Sequence, residues 1–77
     1  MKCIKINNGD SVAVAVEPLK VGETVTVNGQ PITLLNDIPA GHKFALKDIL
    51  EGENIIKYSY PIGHAKADIK RGEHIHT

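Results

Sequence analysis

Short runs of alternating apolar and polar residues, separated by glycines and prolines, constrain this chain more than any other feature. The runs lie at residues 3–6, 12–16 (continuously apolar), 24–27, 31–35, 54–58 and 74–76. A period of two over a few residues is typical of half-buried β-strands. Pro18, Pro31, Pro39 and Pro61 leave no space for a long helix. The sequence therefore predicts an all-β fold.

Local sequence also predicts one turn and two helical segments. Asn28-Gly29 is the strongest short-range hairpin signal, because both residues tolerate the positive φ that a type I′ turn requires. The arms of this hairpin are predicted near 24–27 and 30–35. Residues 45–50 and 65–70 each run into a glycine, and we predict one or two single-turn helices there.

An internal similarity organises the chain. The pattern Leu/Ile-x-x-Gly-Glu-x-Val/Ile occurs three times, at 19–25, 49–55 and 69–75. Each copy predicts a turn at Gly-Glu that leads into a strand. A second phrase, Pro-x-Gly-His-x-x-Ala, occurs at 39–45 and 61–67. It predicts a repeated structural turn in which Gly41 and Gly63 permit positive φ or close backbone approach.

The chain is short for a self-sufficient domain. Its 77 residues leave room for one domain, predicted over residues 1–77, and such a chain buries only about 60% of the surface that it exposes when unfolded. With 42% hydrophobic residues, one Phe and no Trp, the core must consist of Val, Ile, Leu and Ala. We therefore expect a homodimer, or docking on a larger partner.

Charge and cysteine content disfavour several classes of function. Nine Lys and Arg balance nine Asp and Glu, so no positive field concentrates nucleic acid or an anionic membrane around the protein. Cys3 is the only cysteine, so no intrachain disulfide can form, and we interpret it as a packing residue rather than a nucleophile. The sequence contains no signal-peptide core and no apolar stretch of about 18 residues. These features predict a cytoplasmic protein.

Four histidines form the main concentration of side chains that can titrate or bind a metal. His42 and His64 each follow a glycine, and His74 and His76 are two residues apart. On a strand, His74 and His76 would project to the same side, which suits a shared metal or substrate. A complete metal site usually needs more ligands, and a histidine pair near a chain end is often merely solvated.

Two lysines are further candidates. His42 and Lys43 follow a Gly turn, and they could pair a proton acceptor with a cation that holds a carboxylate. Lys43 could equally be a solvated charge at a strand edge. Lys57 is expected on the polar side of its strand. Because the sequence has no phosphate-binding Gly loop, Cys cluster or nucleophile elbow, it predicts no self-contained catalytic set.

Several segments are similar to the N-terminal module of altronate dehydratases, and galactarate dehydratases and the small subunit of sulfolactate sulfo-lyase carry similar runs. The segments lie at 10–15, 38–49, 52–53, 56–58, 61–63 and 72–77. The most specific are Gly-His-Lys-x-Ala-Leu at 41–46 and the His-x-His ending at 74–76. The resemblance departs at Ser59, where the family usually has Gly, and at His64, where a basic residue such as Arg is common.

The resemblance implies a SAF domain with a β-clip fold of short, bent strands. In those enzymes the module is joined to, or assembled with, a much larger catalytic part. That part removes water or sulfite from a hydroxy acid with the help of a divalent cation. By resemblance, we expect the cation to be iron, manganese or magnesium, the substrate to be a sugar acid, and this chain to be inactive without its large partner.

The resemblance also implies roles for individual residues. The Gly-His-Lys and His-x-His segments are both expected to face the junction with the large subunit. His42 and His76 are predicted to be catalytic, and Lys43, Lys57 and His74 to bind substrate. His74 and His76 are predicted metal ligands, with the remaining ligands supplied by the large subunit. The alternative is a SAF module that only binds a partner or dimerises and takes no part in catalysis.

Overall fold

The computed structural model describes residues 3–4, 10–57 and 60–75, with side chains described at 10–56 and 61–75. Eight short strands follow one another in these ranges: β1 (Cys3–Ile4), β2 (Val12–Ala15), β3 (Thr24–Val27), β4 (Gln30–Thr33), β5 (Lys43–Ala45), β6 (Asn54–Lys57), β7 (Tyr60–His64) and β8 (His74–Ile75). The described ranges contain no helix. The predicted all-β, SAF-like class is confirmed.

The predicted strands correspond to β1, β2, β3, β4, β6 and β8, although most are shorter than the alternating runs. The ends of three runs, at residues 5–6, 58 and 76, lie outside the described residues, as does the side chain of Cys3. No helix in the described part of the chain has the length and apolar character needed to cross a membrane.

The strands form one four-stranded sheet and two hairpins. The sheet has the order β1-β2-β5-β8, with every neighbour antiparallel, and β3-β4 and β6-β7 form the hairpins. Strands β5 and β8, which are distant in sequence, pair with Phe44 opposite His74 and Lys43 opposite Ile75. This pairing brings the residues after Gly41 beside those after Gly72.

The four-stranded sheet separates two small hydrophobic clusters. Directly paired residues lie on the same face of a sheet, and successive residues lie on opposite faces. Ala13 and Phe44 pair on one face and pack with aliphatic residues of the β3-β4 hairpin. Val12 and Ala45 pair on the other face and pack with residues near the β6-β7 hairpin. Each cluster consists mainly of aliphatic side chains, as the composition predicts.

The predicted β3-β4 hairpin is confirmed. Val27 pairs with Gln30, and the two residues between them have positive φ, 50° at Asn28 and 80° at Gly29. Both φ values match the type I′ geometry that favours Asn-Gly at these positions.

The two predicted helical turns are wrong. Residues 45–50 and 65–70 are extended or bent, and a β-bridge joins them at Ile49 and Ile69. The N–H of Ile49 donates to the Ile69 carbonyl (2.8 Å), and the N–H of Ile69 donates to the Ile49 carbonyl (2.7 Å). Because these groups pair between segments, they are not available for bonds within a helical turn.

The second shared phrase does not repeat in the structure. Gly41 lies in a turn with a φ of 83°, whereas Gly63 lies inside β7 and does not have positive φ. Strand β7 was not predicted, because Pro61 and Gly63 are both unfavourable in strand interiors. Strand β5 was not predicted either, since its three residues are too few to show an alternation.

The Gly-Glu pattern folds into the same turn three times. The glycine has a φ of 86° in each copy, at Gly22, Gly52 and Gly72. In each copy the glutamate carboxylate accepts a hydrogen bond from the backbone N–H three residues earlier. The bonds join Lys20 to Glu23 (3.2 Å), Leu50 to Glu53 (2.6 Å) and Lys70 to Glu73 (3.3 Å). The repeated glutamate is therefore a structural residue.

Ser11 joins the start of β2 to β6. It is 1% exposed, its N–H donates to the Ile56 carbonyl (2.9 Å), and its Oγ accepts from the Ile56 N–H (2.8 Å). Ser11→Ala removes that acceptor, so we expect the free energy of unfolding to fall by about 1–3 kcal/mol. Urea denaturation measures the change. Thr24→Val, which keeps the β-branched shape and removes only an exposed hydroxyl contact to Thr33 (3.1 Å), should stay within about 0.5 kcal/mol. Equal losses would contradict the interpretation.

Candidate functional site

His42 lies in a fourth copy of the Gly-Glu turn, with histidine in place of glutamate. Gly41 has a φ of 83°, and the His42 N–H donates to the Pro39 carbonyl (3.0 Å), as the Glu23 N–H donates to the Lys20 carbonyl (3.0 Å). The other copies need the carboxylate to accept an N–H three residues earlier. Proline has no N–H, so Pro39 removes that need and allows a different side chain at position 42.

The backbone of His74 is held on two sides, by β5 and by the segment at 35–36. It lies in β8 opposite Phe44, and its backbone N–H donates to Asn36 Oδ1 (2.9 Å). The neighbouring Leu35 N–H donates to the Gly72 carbonyl (2.9 Å). The segment at 35–36 therefore covers the outer edge of β8 and fixes the position of the His74 backbone, from which the side chain extends. The side chain itself is half-buried.

The two imidazoles contact each other. His42 Nδ1 and His74 Nε2 are 2.9 Å apart, the ring centroids are 5.1 Å apart and the ring planes are inclined by 22°. For a nitrogen contact of 2.9 Å, the ring centroids are farthest apart when the two rings meet end to end through these nitrogens. The observed separation of 5.1 Å is close to that maximum, so the rings meet nitrogen to nitrogen rather than face to face. One nitrogen must carry the hydrogen and the other must accept it. When a proton reaches the second nitrogen of the donor ring, the shared proton can cross to the other ring, which can then release a proton from its own second nitrogen.

Lys43 does not share a sheet face with His74. It pairs with Val14 on one side and Ile75 on the other, whereas His74 pairs with Phe44. Because successive residues of a strand point to opposite faces, Lys43 and His74 project from opposite faces. Lys57 ends β6, but its side chain lies outside the described residues, and so does His76. The predicted roles of these residues stay predictions.

A groove borders the start of β8. Its volume is about 610 Å³, and His74 lines one wall. The other walls include Ile55, Ile62, His64 and Ile69. Sequence patterns gave no indication of this groove, because its walls come from segments that only the fold brings together.

Comparison with known proteins identifies the family. The model of the altronate/galactarate dehydratase SAF domain matches residues 1–77. The chain belongs to this SAF domain family. It is 53% identical over 77 residues to the altronate dehydratase of Escherichia coli K12, a match that covers all of this chain and 16% of that enzyme. It is 40% identical over 74 residues to the galactarate dehydratase (L-threo-forming) of the same organism, covering 94% of this chain and 14% of the enzyme.

A third relative is the (2R)-sulfolactate sulfo-lyase subunit alpha of Chromohalobacter salexigens. This SAF domain is 42% identical to it over 70 residues, which cover 83% of this chain and 74% of that subunit. By contrast, the domain spans only about a sixth of the length of the altronate dehydratases that it matches. The module therefore occurs both as a small part of long enzymes and as most of a separate subunit. The predicted family is confirmed.

The described part of the SAF domain contains no group of three or more His, Cys, Asp or Glu side chains placed to hold a metal ion. His42 and His74 are close enough to be two of the ligands, but the described residues supply no third. Of the predicted metal ligands His74 and His76, His76 lies outside the described residues.

Proposed function

We propose that this SAF domain contributes the His42–His74 imidazole pair to the active centre of a sugar-acid dehydratase, which a larger catalytic polypeptide completes. The observation that carries the proposal is the 2.9 Å contact between the two ring nitrogens. The names of the dehydratase relatives, and the small share of each that this domain spans, support the class of reaction. The predicted cytoplasmic location is consistent with this proposal.

Elimination of water from a hydroxy acid needs two proton transfers. A base takes the proton next to the carboxylate, and an acid protonates the departing hydroxyl. Imidazole suits both tasks, because it changes charge near neutral pH. In the pair, one ring accepts a proton from the substrate side while the other ring releases one. The hydrogen bond between the rings transfers the positive charge from the first ring to the second. Lys43, Lys57 and His76 remain the proposed substrate-binding and catalytic residues, with Lys43 on the sheet face opposite to His74.

A divalent cation would polarise the carboxylate and the departing hydroxyl when bound. Imidazole nitrogen suits iron, whereas manganese and magnesium favour oxygen ligands. Among iron, manganese and magnesium, the histidine content of this domain therefore favours iron. His74 and His76 would hold the cation from this side as an alternative to the proton relay through the pair, because His74 Nε2 contacts His42 and the remaining Nδ1 can bind a metal or exchange a proton but not both. The catalytic polypeptide would provide the remaining ligands.

The test replaces the matching segment of the E. coli altronate dehydratase with this chain and measures turnover of altronate by the full-length protein. His42→Gln and His74→Gln are each expected to lower kcat by about 100-fold, the usual contribution of a positioned acid or base. Since the two rings act together, the double variant should lose about as much as either single one. Lys47→Gln, an exposed change outside the site, should leave kcat unchanged.

Two outcomes would contradict the proposal. If both single variants keep the parent kcat, the imidazole pair has no part in turnover. If the double variant loses the product of the two single losses, the rings act independently and the hydrogen bond is not used. Unchanged turnover in an intact, assembled protein would favour the alternative of a non-catalytic binding or dimerisation module.

A further inference from the structure

The groove beside His74 has largely aliphatic walls. Ile55 is 6% exposed at its base, Ile69 is half-buried and Ile62 is 44% exposed. A half-exposed isoleucine beside other apolar residues forms a patch that water solvates poorly, and such patches often mark interaction sites.

A β-bulge places Ile62 in this position. Ile55 pairs with Gly63 and Ile56 pairs with Pro61, so Ile62 is the extra residue between two ladder positions. Bulges bend the strand and redirect a side chain, and they are retained features rather than defects. With regular pairing, the side chain of Ile62 would follow the alternation of β7 and point to the sheet face opposite to its two neighbours. The bulge therefore directs an aliphatic side chain toward the groove.

The polar rim of the groove does not favour an anionic ligand. Lys66 and His64 line the groove together with two carboxylates, those of Asp68 and Glu73. Asp68 Oδ1 accepts from the Glu51 backbone N–H (2.8 Å), and Glu73 holds its own turn. The charges are of both signs, so the rim produces no strong positive field. A sugar acid, which carries a hydroxyl on nearly every carbon, would also gain little from aliphatic walls.

We propose that this groove seats aliphatic side chains of the catalytic polypeptide, an inference that rests on the proposed function. The dehydratase relatives carry this module within a chain about six times as long, and the sulfo-lyase relative is named as one subunit of an assembly. A large polypeptide surface therefore accompanies the module in both arrangements. Because Glu73 and His74 line the groove, a segment seated there contacts the strand that carries one of the two imidazoles.

The experiment compares amide hydrogen exchange in the 77-residue chain with exchange in the full-length chimera described above. Peptides that cover 60–69 should exchange about tenfold or more slowly in the chimera, because docking adds protection to a locally opening segment. The β3-β4 tip at Asn28 and Gly29 should exchange equally in both proteins. Ile62→Lys should remove the added protection, because it places a charge among the aliphatic walls of the groove and so opposes docking.

Leu50→Lys is the matched control. Leu50 is 60% exposed and does not line the groove. It occupies the position that Lys20 and Lys70 hold in the equivalent turns, so a lysine is accommodated there. This variant should keep the added protection at 60–69 within experimental error.

Three results would overturn the docking proposal. Equal exchange at 60–69 in the chain and the chimera would show that nothing covers the groove. Loss of protection in Leu50→Lys as well would show a general surface effect. Protection that rises with the concentration of the 77-residue chain alone would identify a second copy as the occupant. Any of these results leaves the turnover test of His42 and His74 unaffected, so the two proposals fail separately.

Discussion

Gly72→Ala is expected to destabilise the domain by about 3 kcal/mol or more, a large part of the stability of a small protein. A Cβ on Gly72 would lie 2.3 Å from the Thr33 carbonyl oxygen and 3.5 Å from the Leu34 Cα. Both are backbone atoms, so relief requires movement of the segment that covers β8. The φ of 86° adds strain for any residue with a side chain.

Gly52→Ala separates the two causes of this loss. Gly52 occupies the same position in an equivalent turn and has the same φ of 86°, but a Cβ there meets no atom within 4 Å. Its cost should therefore be the backbone strain alone, about 1–2 kcal/mol. Chemical denaturation of both variants gives the comparison. Losses of the same size would show that the contact with Thr33 does not limit the substitution.

The sequence predicted the parts of the fold that depend on near neighbours. Asn28-Gly29 specifies its hairpin through two φ values, and each Gly-Glu pair specifies a turn through one φ value and one carboxylate contact. The same features could not show which turns lie together. Ile49 and Ile69 form a bridge across 20 residues. The local sequence of 45–50 and of 65–70 favours a helical turn, because neither segment contains information about the partner with which it pairs.

For the candidate site too, the local sequence indicates which residues are candidates, whereas their contact depends on segments that are distant in sequence. The Gly-His and His-x-His segments marked His42 and His74 as candidates. Their contact depends on the pairing of β5 with β8 and on the bond from the His74 N–H to Asn36. Asn36 has no distinguishing pattern around it, so sequence alone gave it no role. The sequence marks Pro39 as an obstacle to helices and as part of a predicted turn, but it does not show that the missing N–H of Pro39 allows a histidine in place of the glutamate.

Phe44→Ala is expected to lower the free energy of unfolding by about 3–5 kcal/mol, the usual cost of a buried phenylalanine. Phe44 is 0% exposed and is the only phenylalanine of the chain, and the other buried hydrophobic residues that the structure describes are aliphatic. A chain of 77 residues has a total stability of roughly 4–12 kcal/mol, so this variant should lose about a quarter of that stability or more. Circular dichroism during urea denaturation would measure the shift.

Phe44→Leu provides the control that relates this core position to the imidazole pair. Leucine fills most of the same volume, and its cost should be about 1–1.5 kcal/mol. Because Phe44 pairs with His74 and follows His42 by two residues, a folded Phe44→Leu domain should keep the 2.9 Å nitrogen contact. In the chimera it should retain turnover near the parent value at temperatures where it is folded. A folded Phe44→Leu protein with turnover as low as His42→Gln would show that Phe44 sets the geometry of the pair rather than only the stability of the core.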